Sequence, residues 1–420
     1  TRTLYIILRN ASLRLKSEYN TLLMNKIKEE MNIFESLPIL YIAGGPSLDD
    51  EIDWIKKHQN KFIIVTIGAV YKKLIDNNIN VDIVFSLDSQ YRTVGDKQFT
   101  VENCKLLNNT IVIGSMMTDE KVLQRFNKNK LFLYELFANF HKDNILIEGY
   151  SVGEIGVGLL LTMNVKELYL IGLDMALNKN TGATHSKGSN SGIRNYNINK
   201  NIRAKDNGRD IYGVRTGLSK VKGNLEDKVN TTGLYIASLN SMNEILANKK
   251  SDVNVYNLSK HGAFFKNTIP KTSNSLDINK FEDVFLSSEE LSLYFKNNSL
   301  NSLNKYSKNL LIKEIEYLEN FLTNEFIYYK NSNFDTYHKF GEYSKKLFLT
   351  LSQFNKSSTL LSIIITNYSK ILFNYFEYHF NDVKIKNEQK KVKKIKEVVL
   401  IQLEQIISDY LKYLKNLVDH

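Results

Sequence analysis

The stretch Tyr41-Ile-Ala-Gly44-Gly45-Pro46-Ser47-Leu48-Asp49-Asp50 is the first in this 420-residue chain whose residue types and spacing suit chemistry. Two glycines let a second backbone or a ligand come close, and Ser47 or Asp49 can cap a following helix. Backbone N–H groups at such a turn, helped by the helix dipole, favour an anion, so a phosphate is one occupant. A tight strand-to-helix turn explains the same residues, because the spacing is neither a P-loop nor Gly-x-Gly-x-x-Gly. Further on, Phe85-Ser86-Leu87-Asp88-Ser89 presents a carboxylate suited to a ribose hydroxyl, a helix cap or a metal. With no second carboxylate at a short fixed spacing, sugar binding or structure is preferred over a metal.

Glu148-Gly149-Tyr150-Ser151-Val152-Gly153-Glu154 opens a helix with Ser151 and Glu154 at capping-box spacing, and Gly156 and Gly158 follow. Each glycine inside a helix costs up to about 1 kcal/mol against Ala, so a close backbone contact is expected, with a cofactor or with a neighbouring strand. Leu170-Ile171-Gly172-Leu173-Asp174-Met175-Ala176 leads into a polar excursion, Asn178–Lys228, which carries Thr184-His185-Ser186-Lys187-Gly188. Loops of this length inside a domain are lids or disordered segments. His185 stands between hydroxyls and Lys187 near the expected site edge, as a proton acceptor or as a solvent-exposed bystander. In Tyr256-Asn257-Leu258-Ser259-Lys260-His261-Gly262, Asn257 and Ser259 offer amide and hydroxyl groups that read a base edge or a carboxylate, and His261 suits a turn.

The elements that must carry these groups are short β-branched runs: Ile39–Ala43, Phe62–Thr66, Asp82–Asp88, Thr110–Ile113, Leu131–Tyr134, Glu167–Asp174 and Asp252–Tyr256. Each is followed by turn residues and then a helical pattern. This predicts an α/β fold, a Rossmann-like, mostly parallel sheet with helices on both faces, in which ligands bind beyond the carboxyl ends of the strands. Nineteen of twenty glycines lie at or before Gly262, and the last proline is Pro270. The rest reads as an all-α helical bundle, with helices around Ser288–Asn297, Asn301–Tyr329, Asp335–Phe354, Ser357–Phe380 and Lys390–Val418. The expected division is a strand and then a helix over 1–36, a nucleotide-sugar-binding catalytic domain over 37–270, and a helical domain over 280–420, with the boundary in Lys271–Asn279.

Lys and Arg number 56 against 45 Asp and Glu, a formal charge of +11 that favours anionic partners. The single cysteine, Cys104, excludes an internal disulfide and a thiolate metal cluster. No apolar run reaches the roughly 20 residues of a membrane span. The start, Thr1-Arg-Thr-Leu-Tyr, lacks the zones of a secretory signal and an initiating Met, so the reading is cytoplasmic, with a start ahead of Thr1 left open. Lys384, Lys386, Lys390, Lys391, Lys393, Lys394 and Lys396 form a basic stretch beside Tyr368, Phe373, Tyr375, Phe376, Tyr378 and Phe380. Lysine runs are usually solvated faces and bundle aromatics core, so no nucleic acid is expected.

Taken in order, Ala43-Gly-Gly-Pro-Ser-Leu48, the Ser151-Val152 helix start, Ile171-Gly-Leu-Asp174, Thr184-His-Ser-Lys-Gly188 and Asn257-Leu-Ser-Lys-His-Gly-Ala263 resemble the motility-associated factor (Maf) flagellin glycosyltransferases. They are also distantly similar to the bacterial CMP-sialic acid sialyltransferases. The resemblance covers about residues 37–265. It implies transfer of a nonulosonic acid, pseudaminic or legionaminic, from its CMP donor to Ser or Thr of flagellin, with no metal or other cofactor. It further implies that Gly44, Gly45, Pro46 and Ser47 hold the CMP phosphate and ribose, with Asp88, Tyr150, Ser151, Val152, Asp174, Asn257 and Ser259 around the donor. His185 would be the general base of an inverting displacement, which suits a reference pKa of about 6.5. The sialyltransferases place a tyrosine shortly after the Gly-x-Asp segment, where this chain has Ala176. Leaving-group assistance then falls to Tyr150, Lys187 or Arg194.

Two other readings stay open. A pterin diphosphokinase would require ATP and Mg²⁺, with Asp88 and Asp174 as ligands. A non-catalytic flagellin chaperone or assembly factor would bind protein through the helical region.

Overall fold

The protein is described here by a computed structural model, which describes residues 2–16, 18–29, 33–191, 194–198, 202–203, 217–352, 360–381 and 385–418. It forms two compact units. One comprises 20–134 and 147–300; the other comprises 1–19, 135–146 and 301–420.

The first unit is built on a ten-stranded sheet. In chain order its strands are β1 (Thr21–Leu22), β2 (Ile39–Ile42), β3 (Ile63–Ile67), β4 (Ile83–Ser86), β5 (Ile111–Ser115), β6 (Leu131–Tyr134) and β7 (Glu167–Ile171). The excursion adds two small antiparallel pairs outside this sheet, β8 (Tyr196–Asn197) with β9 (Ile202–Arg203) and β10 (Leu218–Lys222) with β11 (Lys228–Thr232). β12 (Asn254–Asn257), β13 (Ile269–Pro270) and β14 (Ser299–Leu300) complete the sheet, in the order β13-β12-β7-β2-β3-β4-β5-β6-β1-β14. Every pairing is parallel except that of β14 with β1. The central strands are buried at every position (Ile39–Ile42 and Ile63–Ile67, for example), as strands covered on both faces must be. This is the Rossmann-like α/β architecture expected from the alternating runs.

From β2 the chain steps outward through β3, β4, β5 and β6, and then returns to the other flank of β2 with β7 and β12. The reversal places the topological switch point between β2 and β7, where adjacent post-strand loops part and leave a crevice. Ile42 pairs with Ile171 at this edge, so Ala43–Ser47 and Gly172–Asp174 start side by side.

The helix Leu48–His58 carries Asp49, Asp50 and Glu51 in its first turn and Lys56, Lys57 and His58 in its last, matching the helix dipole at both ends. The glycine-rich helix Val152–Thr162 resolves the question its sequence left open. A Cβ at Gly156 would run into the Tyr41 hydroxyl and lie 2.9 Å from Phe85 Cδ2, so the close contact is with the sheet. Tyr41 Oη donates to the Val152 carbonyl (2.9 Å) across the same approach.

The second unit is helical. The helices Arg2–Lys16 and Lys305–Asn320 both pack on Glu388–Val418, and Tyr337–Ser352 packs on Leu360–Phe380. Its core includes Leu318, Phe326, Phe340, Phe376, Leu403 and Tyr410.

Three expectations change. The first 36 residues open with the helix Arg2–Lys16, and the expected strand and then helix, β1 and Met24–Glu29, come only after it. Their β-branched content misleads, because this helix, with Asn10, Ala11 and Arg14 buried, packs on the last helix of the chain. The division expected in Lys271–Asn279 falls inside the sheet unit. The helix Ser288–Asn297 packs there through Phe295 against Phe34 and Phe132, and β14 closes the sheet edge. In the basic stretch, Lys396 is buried and donates to the Lys330 and Ser332 carbonyls (2.8 and 2.6 Å), whereas Lys390, Lys391, Lys393 and Lys394 are exposed; Lys384 lies outside the described residues. Of the neighbouring aromatics, Tyr368, Phe376 and Phe380 are core and Tyr375 and Tyr378 are exposed. Among the described residues no helix is long and apolar enough to cross a membrane.

Candidate functional site

A cavity of about 190 Å³ opens at the switch point. Gly44 and Gly45 from the loop after β2, Gly172 and Asp174 from the loop after β7, and Ser151 and Val152 from the start of the helix Val152–Thr162 line it. His185 and Tyr235 complete the wall.

The loops are locked to one another before any ligand is considered. Asp174 is buried, and its Oδ2 accepts from the Ser47 backbone N–H (3.1 Å) while its Oδ1 accepts from Ser47 Oγ. Ser47 Oγ in turn accepts from the His261 N–H (2.8 Å), and His261 Nε2 lies 2.9 Å from Asp50 Oδ2. The Gly45 N–H donates to the Gly172 carbonyl (2.6 Å). A Cβ at Gly45 would run into Asp174 Oδ2 and lie 2.6 Å from Gly172 O, so glycine is required there by loop packing. Burial, only partly offset by the Ser47 hydrogen bonds, raises the Asp174 carboxyl to about 6.

Asn257 and Ser259 belong to this framework. Both are fully buried; Ser259 Oγ accepts from the Leu173 N–H (3.2 Å), and Asn257 Oδ1 accepts from the Ser259 N–H (3.1 Å). Neither lines the cavity, and neither do Pro46 and Ser47.

His185 is held in the wall by its own loop. The Ser186 N–H donates to the Gly44 carbonyl (2.9 Å), and Tyr235 Oη donates to the Thr184 carbonyl (2.8 Å). His185 Nδ1 is 2.9 Å from Thr184 Oγ1, which also accepts from the Arg194 N–H (3.1 Å). Burial, with a further contribution from the charge of Arg194, lowers the imidazole to about 4. The ring is therefore neutral at physiological pH. If Nδ1–H donates to Thr184, Nε2 keeps the lone pair that accepts a proton. The Tyr235 phenol stays protonated, since burial and the Asp174 charge push its pKa up.

The remaining residues expected at the site lie elsewhere. Asp88 is half-buried, accepts from the Gln90 N–H (2.9 Å) and does not line the cavity. Tyr150 is 75% exposed and does not line the cavity; its backbone N–H donates to Glu154. Lys187 is exposed, its N–H bound to Asp49 Oδ2 (3.0 Å), and Arg194 is exposed with its backbone paired to Thr184. Parts of the excursion, residues 192–193, 199–201 and 204–216, lie outside the described residues.

Sequence reasoning missed Tyr235, Ser238, Ile67 and Met175 in the lining. Thr231-Thr232-Gly233 before an apolar run is a helix start, and Thr232 Oγ1 accepts from the Tyr235 N–H (3.3 Å), so Tyr235 had a local signal. Met175 had none: its left-handed backbone (φ 47°) is imposed by the turn after β7.

Residues 12–180 match the family model described as 6-hydroxymethylpterin diphosphokinase MptE-like. Among solved structures the chain is similar to a MAf glycosyltransferase from Magnetospirillum magneticum AMB-1, with a TM-score of 0.61 and 16% identity over 99% of this chain. The chain spans 60% of the length of that protein. A search of curated protein sequences gives no significant match. The likeness to that protein is one of fold, and the segment 12–180 carries the MptE-like sequence pattern.

Proposed function

We propose that the chain is a glycosyltransferase that moves a nonulosonic acid, pseudaminic or legionaminic, from its CMP donor to Ser or Thr hydroxyls of flagellin, inverting the anomeric centre. The observation that carries this reading is His185, half-buried in the wall of the switch-point cavity with its imidazole pKa lowered to about 4, so that the ring is neutral. The likeness in fold to a MAf glycosyltransferase supports it.

In this reading the imidazole takes the proton of the incoming hydroxyl as its oxygen attacks the anomeric carbon. The bond from that carbon to the phosphate oxygen breaks, and CMP leaves with the electron pair. A pKa near 4 makes the free imidazole a weak base. The donor carries a phosphodiester and a carboxylate, and negative charge beside an imidazole raises its pKa towards the useful range. Gly44, Gly45, Ser151, Val152 and Asp174 line the donor cavity, and Pro46, Ser47, Asn257 and Ser259 frame it. Arg194, whose charge reaches His185, is assigned to the departing phosphate ahead of Lys187. The reading carries with it a cytoplasmic location.

Flagellin co-produced with this protein and a CMP-nonulosonate pathway should gain the mass of an acidic sugar. Unmodified flagellin, with every component confirmed present, overturns the reading. His185→Ala should lower transfer about 10²–10⁴-fold and leave flagellin binding intact; transfer that survives it undiminished removes His185 as the base, and a wild type that binds flagellin without modifying it favours a chaperone.

The family description over 12–180 favours a second reading, a pterin diphosphokinase. That segment ends before His185. The reading needs Asp88 and Asp174 as Mg²⁺ ligands, yet Asp88 is outside the cavity lining and both Asp174 oxygens already accept from Ser47. Calorimetric titration with CMP and with Mg²⁺–ATP separates the two.

A further inference from the structure

We propose that the cavity holds the neutral nucleoside end of its ligand between Gly44–Gly45 and Ser151–Gly153, and that the phosphate lies on the side of His185 and Arg194. The proposal rests on the nucleotide-sugar reading above and reverses the placement of phosphate that the glycine-rich turn suggests.

Each helix N-terminus beside these segments already carries a carboxylate of the chain itself. At Leu48–His58 the anion position belongs to Asp174, bound by the Ser47 N–H and hydroxyl. The N–H groups of Gly45, Leu48, Asp49 and Asp50 are spent on the carbonyls of Gly172, Gly45, Pro46 and Ser47. At Val152–Thr162 the position belongs to Glu154, fully buried, which accepts from the Tyr150 N–H (2.8 Å), the Ser151 N–H (3.0 Å) and Ser151 Oγ (2.6 Å). A phosphate at either place would meet a buried carboxylate where it needs a donor, and like charges repel most strongly where water is excluded.

What these walls offer instead suits a nucleoside. The Ser151 hydroxyl donates to Glu154 and, in the capping box, accepts from the Glu154 N–H, so it presents one further lone pair, which binds a ribose hydroxyl or an exocyclic amine. Ala43, Ile67, Val152 and Leu173 supply apolar surface for a ring. At about 190 Å³ the cavity is smaller than the roughly 300–1,000 Å³ of pockets that enclose a whole ligand, so it takes one end only. The His185 side has a different character. The Arg194 N–H is bound to Thr184 Oγ1 (3.1 Å), which lies 2.9 Å from His185 Nδ1, so this cation is tied to the His185 loop, and Asp49, the carboxylate bound to that loop, is already paired with Lys73 and the Lys187 N–H.

Amide-detected NMR titrations of the whole chain with cytidine, CMP and pyrophosphate test this. Cytidine should bind within about tenfold of CMP and shift the Gly44, Gly45 and Gly153 signals as CMP does, while pyrophosphate leaves them unmoved. Ser151→Ala should weaken cytidine and CMP by the same factor, on the order of fivefold, with Ser151→Thr restoring both. Arg194→Ala should weaken CMP alone. Pyrophosphate that displaces cytidine from Gly44, or Arg194→Ala weakening cytidine as much as CMP, overturns the orientation. CMP binding without cytidine binding overturns the orientation and leaves the proposed function standing. ATP binding with neither cytidine nor CMP binding removes that function and this inference together.

Discussion

Ser47 and Asp174, 127 positions apart in the chain, are joined twice, by the serine N–H and by its hydroxyl, to one buried carboxylate. Through this pair the loops after β2 and β7 become one rigid edge. The His261 N–H on Ser47 Oγ and the Ala263 N–H on the Asp174 carbonyl (2.7 Å) add the loop after β12. Residues that look like ligand contacts in a motif are thus spent on holding the cavity open.

Asp174→Ala should cost about 1–3 kcal/mol, since two buried Ser47 donors lose their acceptor, and Asp174→Asn less, since one acceptor oxygen remains. The pH dependence has a definite sign. The carboxyl titrates near 6 in the folded chain against an ordinary 3.8, so its contribution is present below about pH 4 and fades as pH rises through 6. Urea midpoints of wild type and Asp174→Asn should therefore diverge between pH 4 and 6 and run parallel above 7.

His185 should show neutral-imidazole NMR shifts down to about pH 5 and titrate near 4. Arg194→Ala should move that midpoint up, and so should bound CMP, whose phosphate opposes the effect of Arg194. Because the folded pKa is depressed, the stabilising contribution is present above about 6.5 and lost as pH falls through 4. His185→Ala should lower transfer about 10²–10⁴-fold with little change in thermal midpoint, as loss of a general base does.

Gly45→Ala should be far worse than Gly44→Ala. At Gly45 the new methyl meets Asp174 and the Gly172 carbonyl, neither free to move, and overpacking of this kind costs about 1–3 kcal/mol or more. At Gly44 it meets Val70 Cγ1 at 3.2 Å and Ser189 Oγ at 3.3 Å, ends of side chains that can shift. Denaturation midpoints and soluble yield of the two variants check the ranking.

In the helical unit, Glu135 accepts from the N–H groups of Phe140 and His141, from Asn144, and from His141 Nδ1 at 2.9 Å. Burial alone would lower the His141 pKa, but the hydrogen bond and charge of Glu135 outweigh it, and the net shift is upward. Its contribution is therefore full below about pH 6.5 and fades as pH rises through the higher folded value. Glu135→Gln should cost about 3–5 kcal/mol, as breaking a buried ion pair does, and should flatten this dependence; chemical unfolding at pH 6 and 9 measures both.

The sequence alone determined the sheet and its sidedness. Residues 39–42, 63–65 and 168–171 are written as uninterrupted apolar runs, and hydrophobic burial on two faces leaves such runs little choice but a covered parallel sheet. It also marked the glycines and His185, because backbone clearance and imidazole chemistry are properties of the residue itself. Only the tertiary structure decided which polar groups face the cavity and which face one another. Ser47, Asp174, Asn257 and Ser259 sit at or just past strand ends that read alike in one dimension, yet their hydrogen bonds close across three strands. Tyr235 reaches the wall from a helix about fifty residues after Thr184, whose carbonyl it binds. A hydrogen bond between distant residues depends on strand order and register, which are set by the packing of the whole sheet and written in no local stretch of the chain.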